Sequence, residues 1–270
     1  MRIDVYLTKN GHTASRTRAQ QLIAADKIEV DGKTVRRPSD EIDETLSHTV
    51  SVGEDIPYVG RGGCKLEGAL DAFALDVSGA WALDIGASTG GFTDCLLRRG
   101  VARVYAVDSG EGQLASSLCA HPRVVNMEKC NARYLSADML DQAFLEHGGA
   151  DVIVMDVSFI SQTYILPTFP SLLKQDGWVV TLIKPQFEVG RSGVGKGGIV
   201  KDPAMRREAV RKVIESAATV GLSVSNIIRS PIVGGDGNVE YLACFQKDRK
   251  GDAAAFVRAL PTELFRSVKQ

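Results

Sequence analysis

"LDIGASTGGF", residues 83–92, joins an apolar run to a helical one through a cluster of glycines. It closes the apolar run "WALDI", which has the length of a strand, and passes through glycines into the helical stretch "FTDCLLRRG". Four more short, apolar segments rich in β-branched residues follow: "RVYAVDS", "VVNMEK", "DVIVMDVS" and "GWVVTLIKP". Helical stretches such as "GQLASSLCA" and "SADMLDQAFLEHG" lie between them. Alternation of strand and helix predicts a parallel, doubly wound sheet with helices on both faces. A long amphipathic helix, "PAMRREAVRKVIESAATVG", leads to "LSVSNIIRSPIV" and "EYLACFQK", near enough in sequence to pair as an antiparallel hairpin. The expected fold is α/β and Rossmann-like, with a seven-stranded, mostly parallel sheet whose last strand is antiparallel.

In an open α/β sheet, ligands bind beyond the carboxyl ends of the strands, which is where this loop lies. Gly86, Gly90 and Gly91 let the backbone approach a ligand, and Asp84 supplies a carboxylate at the strand end. The spacing D-x-G-x-S-x-G-G differs from the dinucleotide pattern G-x-G-x-x-G, which excludes a nicotinamide dehydrogenase. An acidic residue at the head of the loop suits a ligand with a cationic amine better than one with a pyrophosphate. Asp108 ends the second strand, where a carboxylate accepts hydrogen bonds from ribose hydroxyls. Together these features suit S-adenosylmethionine. Asp84 and the loop (Gly86, Ser88, Thr89, Gly90, Gly91, Phe92) would take the methionine end, Asp108 the ribose, and Asn131 the adenine side. Asp156, ending the fourth strand, would border the same site.

The atom to be methylated is narrowed by what is missing. Cytosine C5 chemistry needs a cysteine nucleophile, commonly from a Pro-Cys pair, and the chain has no such pair. Exocyclic amines are often served by an Asn/Asp-Pro-Pro-aromatic loop after the fourth strand, where this chain has "DVSF". A ribose 2′-hydroxyl needs a base, and a lysine serves only if its pKa falls well below about 10.4, through burial or a second nearby cation. Lys184 ends the strand "WVVTLIK", and Lys65 opens the helix "KLEGALDAF". Asp156 ends the fourth strand, and Glu240 stands where a loop enters the last one. These four side chains could converge over the reacting methyl group, one lysine acting as base and the carboxylates orienting both.

The amino-terminal segment has another character. Residues 1–37 hold eight basic side chains against four acidic ones, and residues 38–55 hold six acids and no Lys or Arg. "MRIDVYLTKNGHTASRTRAQQLIAADKIEVDGKTV" reads as two short helices and a hairpin. Ser15 would cap the second helix, and Asp31-Gly32 would turn the hairpin. Arg16 and Arg18 lie in the first turn of that helix, where the dipole disfavours cations, so a phosphate ligand explains them better than helix stability does. "RIDVYL", "G-x-x-x-SR-x-x-A-x-x-LI" and "IEVDG" resemble the S4-type RNA-binding module over about residues 1–50. The resemblance implies docking on structured RNA through phosphates and shape, with Arg2, Arg16, Arg18, Lys33 and Arg61 as contacts.

The whole chain has 270 residues, 44% hydrophobic and 24% charged, with a net charge of −1, which suits a globular protein of one full α/β domain and a smaller one. Five cysteines without a C-x-x-C pair argue against a disulfide framework and against a zinc site, and no metal site is expected. No signal peptide or membrane-spanning run is apparent, so a cytoplasmic protein is expected; a monomer is expected as well. "GRSGVGKGG", residues 190–198, nearly matches a phosphate-binding P-loop, but Gly197 stands where a Ser or Thr hydroxyl is required. The loop also follows "PQFEV" rather than a strand. It reads as a glycine-rich flap over 188–201, with Arg191, Lys196 and Lys201 facing an RNA backbone.

In order along the chain, "YVGRGGCKLEGAL", "LDIGASTGGFTDCLL", "VYAVDSGEGQL", "DVSFIS", "IKPQFEVG", "VGKGGIVKDP" and "GNVEY" resemble the TlyA family. That resemblance implies an S4-type α+β domain (1–57), a linker (58–64), an FtsJ-like S-adenosylmethionine-dependent methyltransferase domain (65–250) and a helical tail (251–270). It implies methyl transfer to cytidine 2′-hydroxyls of ribosomal RNA, in the small subunit, the large subunit or both. The family's Lys-Asp-Lys-Glu tetrad falls on Lys65, Asp156, Lys184 and Glu240. A departure is the linker "DIPYVGRGG", which lacks the tryptophan that some members carry before this element. Two other classes compete: a membrane-active cytolysin, since members have been called haemolysins, and a ribosome-assembly RNA-binding factor with an idle transferase site. The sequence offers the first no spanning segment. Substitution of Lys65 or Lys184 separates the second from an enzyme.

Overall fold

Asp31 and Gly32 both take the left-handed backbone conformation, φ +51° and +73°, as the two-residue turn of a tight hairpin requires. The computed structural model describes the chain apart from residues 25, 54–57, 191–192, 248–250 and 267–270. It divides into two units, Met1–Arg61 and Gly62–Gln270. In the first, α1 (Ile3–Lys9) and α2 (Arg16–Ala24) precede β1 (Ile28–Val30), β2 (Lys33–Thr34) and β3 (Val50–Val52). The hairpin partners are β1 and β2, and β3 adds to the free edge of β1 as a third strand. Ser15 caps α2 by accepting the Arg18 amide at 3.1 Å. Leu7, Ala19, Ile23 and Ile28 are fully buried in this unit's own small core.

The second unit begins with α3 (Gly62–Ala72), which starts three residues before Lys65 rather than at it. Strand–helix alternation follows: β4 (Trp81–Ile85), α4 (Gly91–Arg98), β5 (Arg103–Val107), α5 (Ser116–Cys119), β6 (Val124–Met127), α6 (Gln142–His147) and β7 (Ala150–Met155). Then come α7 (Phe169–Leu172), β8 (Leu173–Ile183), α8 (Pro185–Glu188), α9 (Pro203–Thr219), β9 (Leu222–Arg229), β10 (Tyr241–Lys247) and α10 (Ala253–Ala259). Among the described residues seven strands form one sheet in the order β6-β5-β4-β7-β8-β10-β9. β6, β5, β4, β7 and β8 are parallel, while β10 runs antiparallel to both of its neighbours. The sheet and its antiparallel last strand are as the sequence pattern predicts. The α5 and α6 stretches contain shorter helices than expected, four and six residues, the rest being turns. Ala82–Ile85 and Val104–Val107 are buried throughout, as strands covered on both faces must be.

Candidate active site

Strand register brings the candidate residues to one edge. Ile85 lies opposite Val107 on one side and Met155 on the other, so the residues just beyond, Gly86, Asp108 and Asp156, leave the sheet together. Gly86 has φ +83°, and a Cβ there would come within 2.5 Å of the Asp156 carbonyl oxygen. Only glycine lets the loop turn against β7 in this way. On the antiparallel side Tyr241 pairs with Ile183, which sets Glu240, one residue before, beside Lys184, one residue after.

Two short ion pairs result. Lys65, reaching from α3, has its ammonium 2.6 Å from Glu240 Oε2, and the two residues are only 7% and 2% exposed. Lys184 has its ammonium 2.6 Å from Asp156 Oδ1 and donates to Ser158 Oγ at 2.9 Å. Burial pushes the Glu240 carboxyl up, an effect opposed by Lys65 and Lys184 and reinforced by Asp156. Glu240 is therefore within electrostatic reach of the other three. Buried pairs of this kind persist only when geometry compensates desolvation, here the short Lys65 contact, and Gly234 leaves room for it: a Cβ there would sit 2.6 Å from Glu240 Oε1.

Beside the tetrad opens a cavity of about 460 Å³, lined by Gly86, Ser88, Asp108, Asn131 and Asp156 among the residues singled out from sequence. Asp84, Thr89, Gly90, Gly91 and Phe92 do not line it. Asp84 is fully buried, and its Oδ2 accepts a hydrogen bond from Thr93 Oγ1 at 2.6 Å. Its Oδ1 is buried with no hydrogen-bond partner. Burial pushes this carboxyl up to about 7; the neighbouring Asp156 and Asp108 add to the effect, and Thr93 opposes it. Asp108 accepts the Ser88 amide at 2.8 Å and the Gly110 amide at 2.7 Å, which fixes its carboxylate at the mouth. A cavity of about 560 Å³, bordered by Asp151, Lys174 and Trp178, lies at the opposite edge and holds none of the candidate residues. The carboxyl edge is the chemically equipped one, in keeping with open α/β sheets generally.

With this geometry in view, the chain's similarity to known proteins is informative. Residues 58–247 match the FtsJ-like methyltransferase family model, and residues 1–55 match the S4 domain model. A Mycobacterium tuberculosis protein named 16S/23S rRNA (cytidine-2′-O)-methyltransferase TlyA is 40% identical over 269 residues, covering 100% of this chain and 97% of its own. The chain belongs to the TlyA family of FtsJ-like methyltransferases. Hemolysin A of Brachyspira hyodysenteriae is 43% identical over 246 residues, 91% of this chain and 99% of its own. A solved structure from Streptococcus thermophilus, carrying a hemolysin name, superposes with a TM-score of 0.75 at 37% identity, covering 98% of this chain and 94% of its own. Among the described residues no helix is long and apolar enough to cross a membrane.

For an FtsJ-like methyltransferase the orphaned Asp84 oxygen is the most telling observation. A buried acceptor without a partner at a strand end fits a ligand that brings an ammonium group. Asp108 and Asn131 border the cavity as hydrogen-bonding groups, and Val107, Cys130, Ile160 and Ile165 supply apolar walls. Asn131 Oδ1 already accepts the Arg133 amide at 3.1 Å, as the cap of a short turn.

The basic residues divide. Arg2 and Arg16 are tied to Asp4, at 3.0 and 2.9 Å, so the fold itself accounts for Arg16, contrary to the dipole argument. Arg61 pairs with Asp26 at 3.2 Å. Arg18 is half-buried on α2, Lys33 is exposed on β2, and Lys196 is exposed on a glycine turn. Arg191 lies outside the described residues.

Sequence reasoning missed two contributors to this TlyA-type site. Phe159 is 91% exposed with φ +65°, an unusual backbone for an aromatic residue, and its ring stands 5.2 Å from that of Phe187. It lines the cavity and follows Asp156 by three positions, which was the only available signal. Asn238 is buried with both ends of its amide used. Oδ1 accepts the Val200 amide at 2.9 Å, and Nδ2 donates to the Gly198 carbonyl at 2.9 Å. It thereby ties the glycine-rich flap to the turn that delivers Glu240.

Proposed function

We propose that this chain transfers a methyl group from S-adenosylmethionine to the 2′-hydroxyl of cytidine in ribosomal RNA, with ribosomal subunits as its substrates. The observation that carries the reading is the pair of short lysine–carboxylate contacts at the sheet's carboxyl edge, one of which, Lys184–Asp156, meets the cavity through Asp156. The name of the M. tuberculosis relative supports cytidine, and the S4 domain supports an RNA substrate. When bound, S-adenosylmethionine supplies an electrophilic methyl group.

The chain's own residues do the rest. Asp84 would hold the ammonium end of the cofactor through its unpartnered oxygen, Gly86 and Ser88 would border it, and Asp108 would hold its ribose hydroxyls. Lys184 takes the proton from the substrate's 2′-hydroxyl and later returns it to water. Asp156 and Ser158 orient the lysine amine, so that its lone pair faces the cavity once the proton has left. Lys65 and Glu240, more deeply buried, form a second lysine–carboxylate pair beside the first. The exposed ring of Phe159 at the rim offers a face on which the target base can stack. Arg18, Lys33, Lys196 and Lys201 contact RNA phosphates, and Arg2 and Arg16 do so with the part of each guanidinium that Asp4 leaves free.

The test is transfer from labelled S-adenosylmethionine to purified small and large ribosomal subunits lacking the modification, followed by alkaline hydrolysis. Label in an alkali-resistant dinucleotide is expected, because a 2′-O-methyl group blocks cleavage at that nucleotide. Label in ordinary mononucleotides would mean base methylation and overturn the reading. Lys184→Ala is expected to lower turnover by roughly 10²–10⁴-fold while leaving cofactor affinity within about two-fold, as for a group that acts only on the substrate proton.

A further inference from the structure

Next to cavity-lining residues in sequence stands a group of side chains that the proposed chemistry does not use. The Arg133 guanidinium lies 5.6 Å from the ring centre of Tyr134 and 5.1 Å from that of Tyr164. The tyrosines are 66% and 56% exposed, and Arg133 is exposed with them. This is a cation between two aromatic rings, all three presented to solvent.

Its placement is specific. Tyr134 ends the turn Ala132–Tyr134, which begins directly after Asn131, and Asn131 and Ala132 line the cavity. Tyr164 ends the turn Gln162–Tyr164, flanked in sequence by Ile160 and Ile165, which line the same cavity. Each half of the group thus follows from a wall of the site.

The tyrosine backbones are also held rigidly. Asn131 caps the first turn, and the Tyr134 amide donates to the Asn131 carbonyl at 2.9 Å. Under the second turn Gln162 is buried. Its Nε2 donates to the Leu182 carbonyl at 2.5 Å, its Oε1 accepts from Thr181 Oγ1 at 2.7 Å, and its amide donates to Glu188 Oε1 at 2.9 Å. Glu188 in turn accepts from Ser161 Oγ at 2.5 Å. A network of this kind fixes the turn, so binding a ligand on its outer face costs little ordering entropy.

Exposed aromatic faces interleaved with a guanidinium are the chemistry that unpaired nucleobases recognise. Bases stack on aromatic rings and on arginine planes, and the arginine N–H groups remain available to phosphate. We propose that Tyr134, Arg133 and Tyr164 form a stacking platform for unpaired RNA nucleotides adjacent to the methylated one. This rests on the reading of the neighbouring cavity as the site of ribose methylation. The platform holds the RNA strand beside the reacting nucleotide and makes the enzyme selective for substrates in which those neighbours are unpaired.

The experiment uses the full chain, with Tyr134→Ala and Tyr164→Ala, and with Tyr134→Phe and Tyr164→Phe as matched variants that keep the ring. Steady-state methyl transfer is measured on ribosomal subunits and on protein-free transcripts, and cofactor affinity is measured by calorimetry. Each alanine variant is expected to raise KM for RNA by roughly ten-fold, with kcat and cofactor affinity within about two-fold of the parent. The phenylalanine variants should behave as the parent does. An unchanged KM, or a phenylalanine variant as impaired as its alanine counterpart, overturns the platform. A loss seen on assembled subunits but absent on protein-free RNA also overturns it, since the group would then be contacting ribosomal protein. The position of the label in the parent's product is read separately by alkaline hydrolysis, so a failure of the ribose reading is distinguishable from a failure of the platform.

Discussion

Asp4, on α1 of the N-terminal unit, and Asp84, at the carboxyl end of β4, are both fully buried aspartates. Asp4 is saturated. Arg2 donates to it twice, at 3.0 and 3.1 Å, Arg16 once at 2.9 Å, and Gln20 once at 2.8 Å. Its bond from Arg2, with help from Gln20 and Arg16, holds the carboxyl well below the usual carboxylate range in spite of burial. Asp84 has Thr93 on one oxygen and nothing on the other, and burial carries it the opposite way, to about 7. The same residue type at the same depth therefore marks two kinds of region. Where the fold itself satisfies a buried charge, the charge is architecture; where the fold leaves it short, the group is a candidate for a ligand to complete.

Removing Asp4 should give the largest effect. Asp4→Ala leaves Gln20 and the half-exposed guanidiniums of Arg2 and Arg16 without their shared acceptor and is expected to cost the N-terminal unit about 2 kcal/mol. Amide hydrogen exchange resolved by region measures it: faster exchange is expected across α1 and α2, with β4 to β8 unchanged. Cofactor affinity should remain within about two-fold of the parent, since the unit that changes is not the one with the cavity. A variant as protected as the parent would break the comparison at its first term.

Asp84→Asn should do the reverse. The folded pKa lies above the unfolded one, so the fold binds this proton more tightly than the unfolded chain does. That contribution is fully present below pH 3.8, falls away as pH rises towards about 7, and is absent above it. In the absence of cofactor at pH 8, Asp84→Asn is therefore expected to unfold at the same temperature as the parent or a higher one. Its cofactor affinity should fall by roughly thirty-fold, the scale of a lost charge-assisted contact. In the parent, affinity should weaken below about pH 7, approaching about ten-fold per unit, because the carboxyl must lose a proton to receive an ammonium. Calorimetric titrations between pH 5 and pH 8 decide it; a parent and an Asp84→Asn variant with the same slope would remove Asp84 from the ammonium site.

These two aspartates also mark how far sequence reading reaches. Asp84 is legible because strand, loop and helix follow each other without interruption, and a carboxylate at such a junction has few bland uses. Lys184 and Glu240 are legible for the same reason, each standing at a strand end. Asp4 is not. Nothing in "RIDVYL" says that Asp4 turns inward, since its partners Arg16 and Gln20 meet it only after α2 packs on α1. From the sequence, a phosphate is consequently the partner that best explains Arg16. Asn238 was illegible as well, because its amide bonds span about forty residues to Gly198 and Val200, a separation no local pattern encodes. The outward, left-handed Phe159 could not be foreseen either, as periodicity describes regular elements and this residue lies in none.

Asn238 tests whether the division holds inside the active site, where a saturated group should still act as architecture. Asn238→Ala frees the Val200 amide and the Gly198 carbonyl and releases the flap from the turn that carries Glu240. Turnover is expected to fall roughly ten-fold through misplacement of a catalytic group, with cofactor affinity unchanged. Asn238→Asp keeps the acceptor for Val200 and should lie between the two. Equal loss in both variants would mean that the Gly198 bond alone carries the effect.

The smallest effect belongs to the exposed cations. Lys33 stands exposed on β2, whereas Arg16, half-exposed, is bonded to Asp4. If the N-terminal unit docks on RNA through phosphates, Lys33→Ala removes one counterion-releasing contact. It should weaken RNA binding two- to three-fold and lower the slope of log affinity against log salt by about 0.7–0.9, leaving the exchange protection of α1 and α2 untouched. Arg16→Ala should change the salt slope by no more than that, yet it should also speed exchange in α1 and α2, because it withdraws a donor from a buried carboxylate. The two substitutions remove one positive charge each, so net charge cannot separate them. Only the connection to Asp4 can, and an Arg16→Ala variant with the exchange pattern of Lys33→Ala would show that Arg2 and Gln20 suffice to hold that carboxylate.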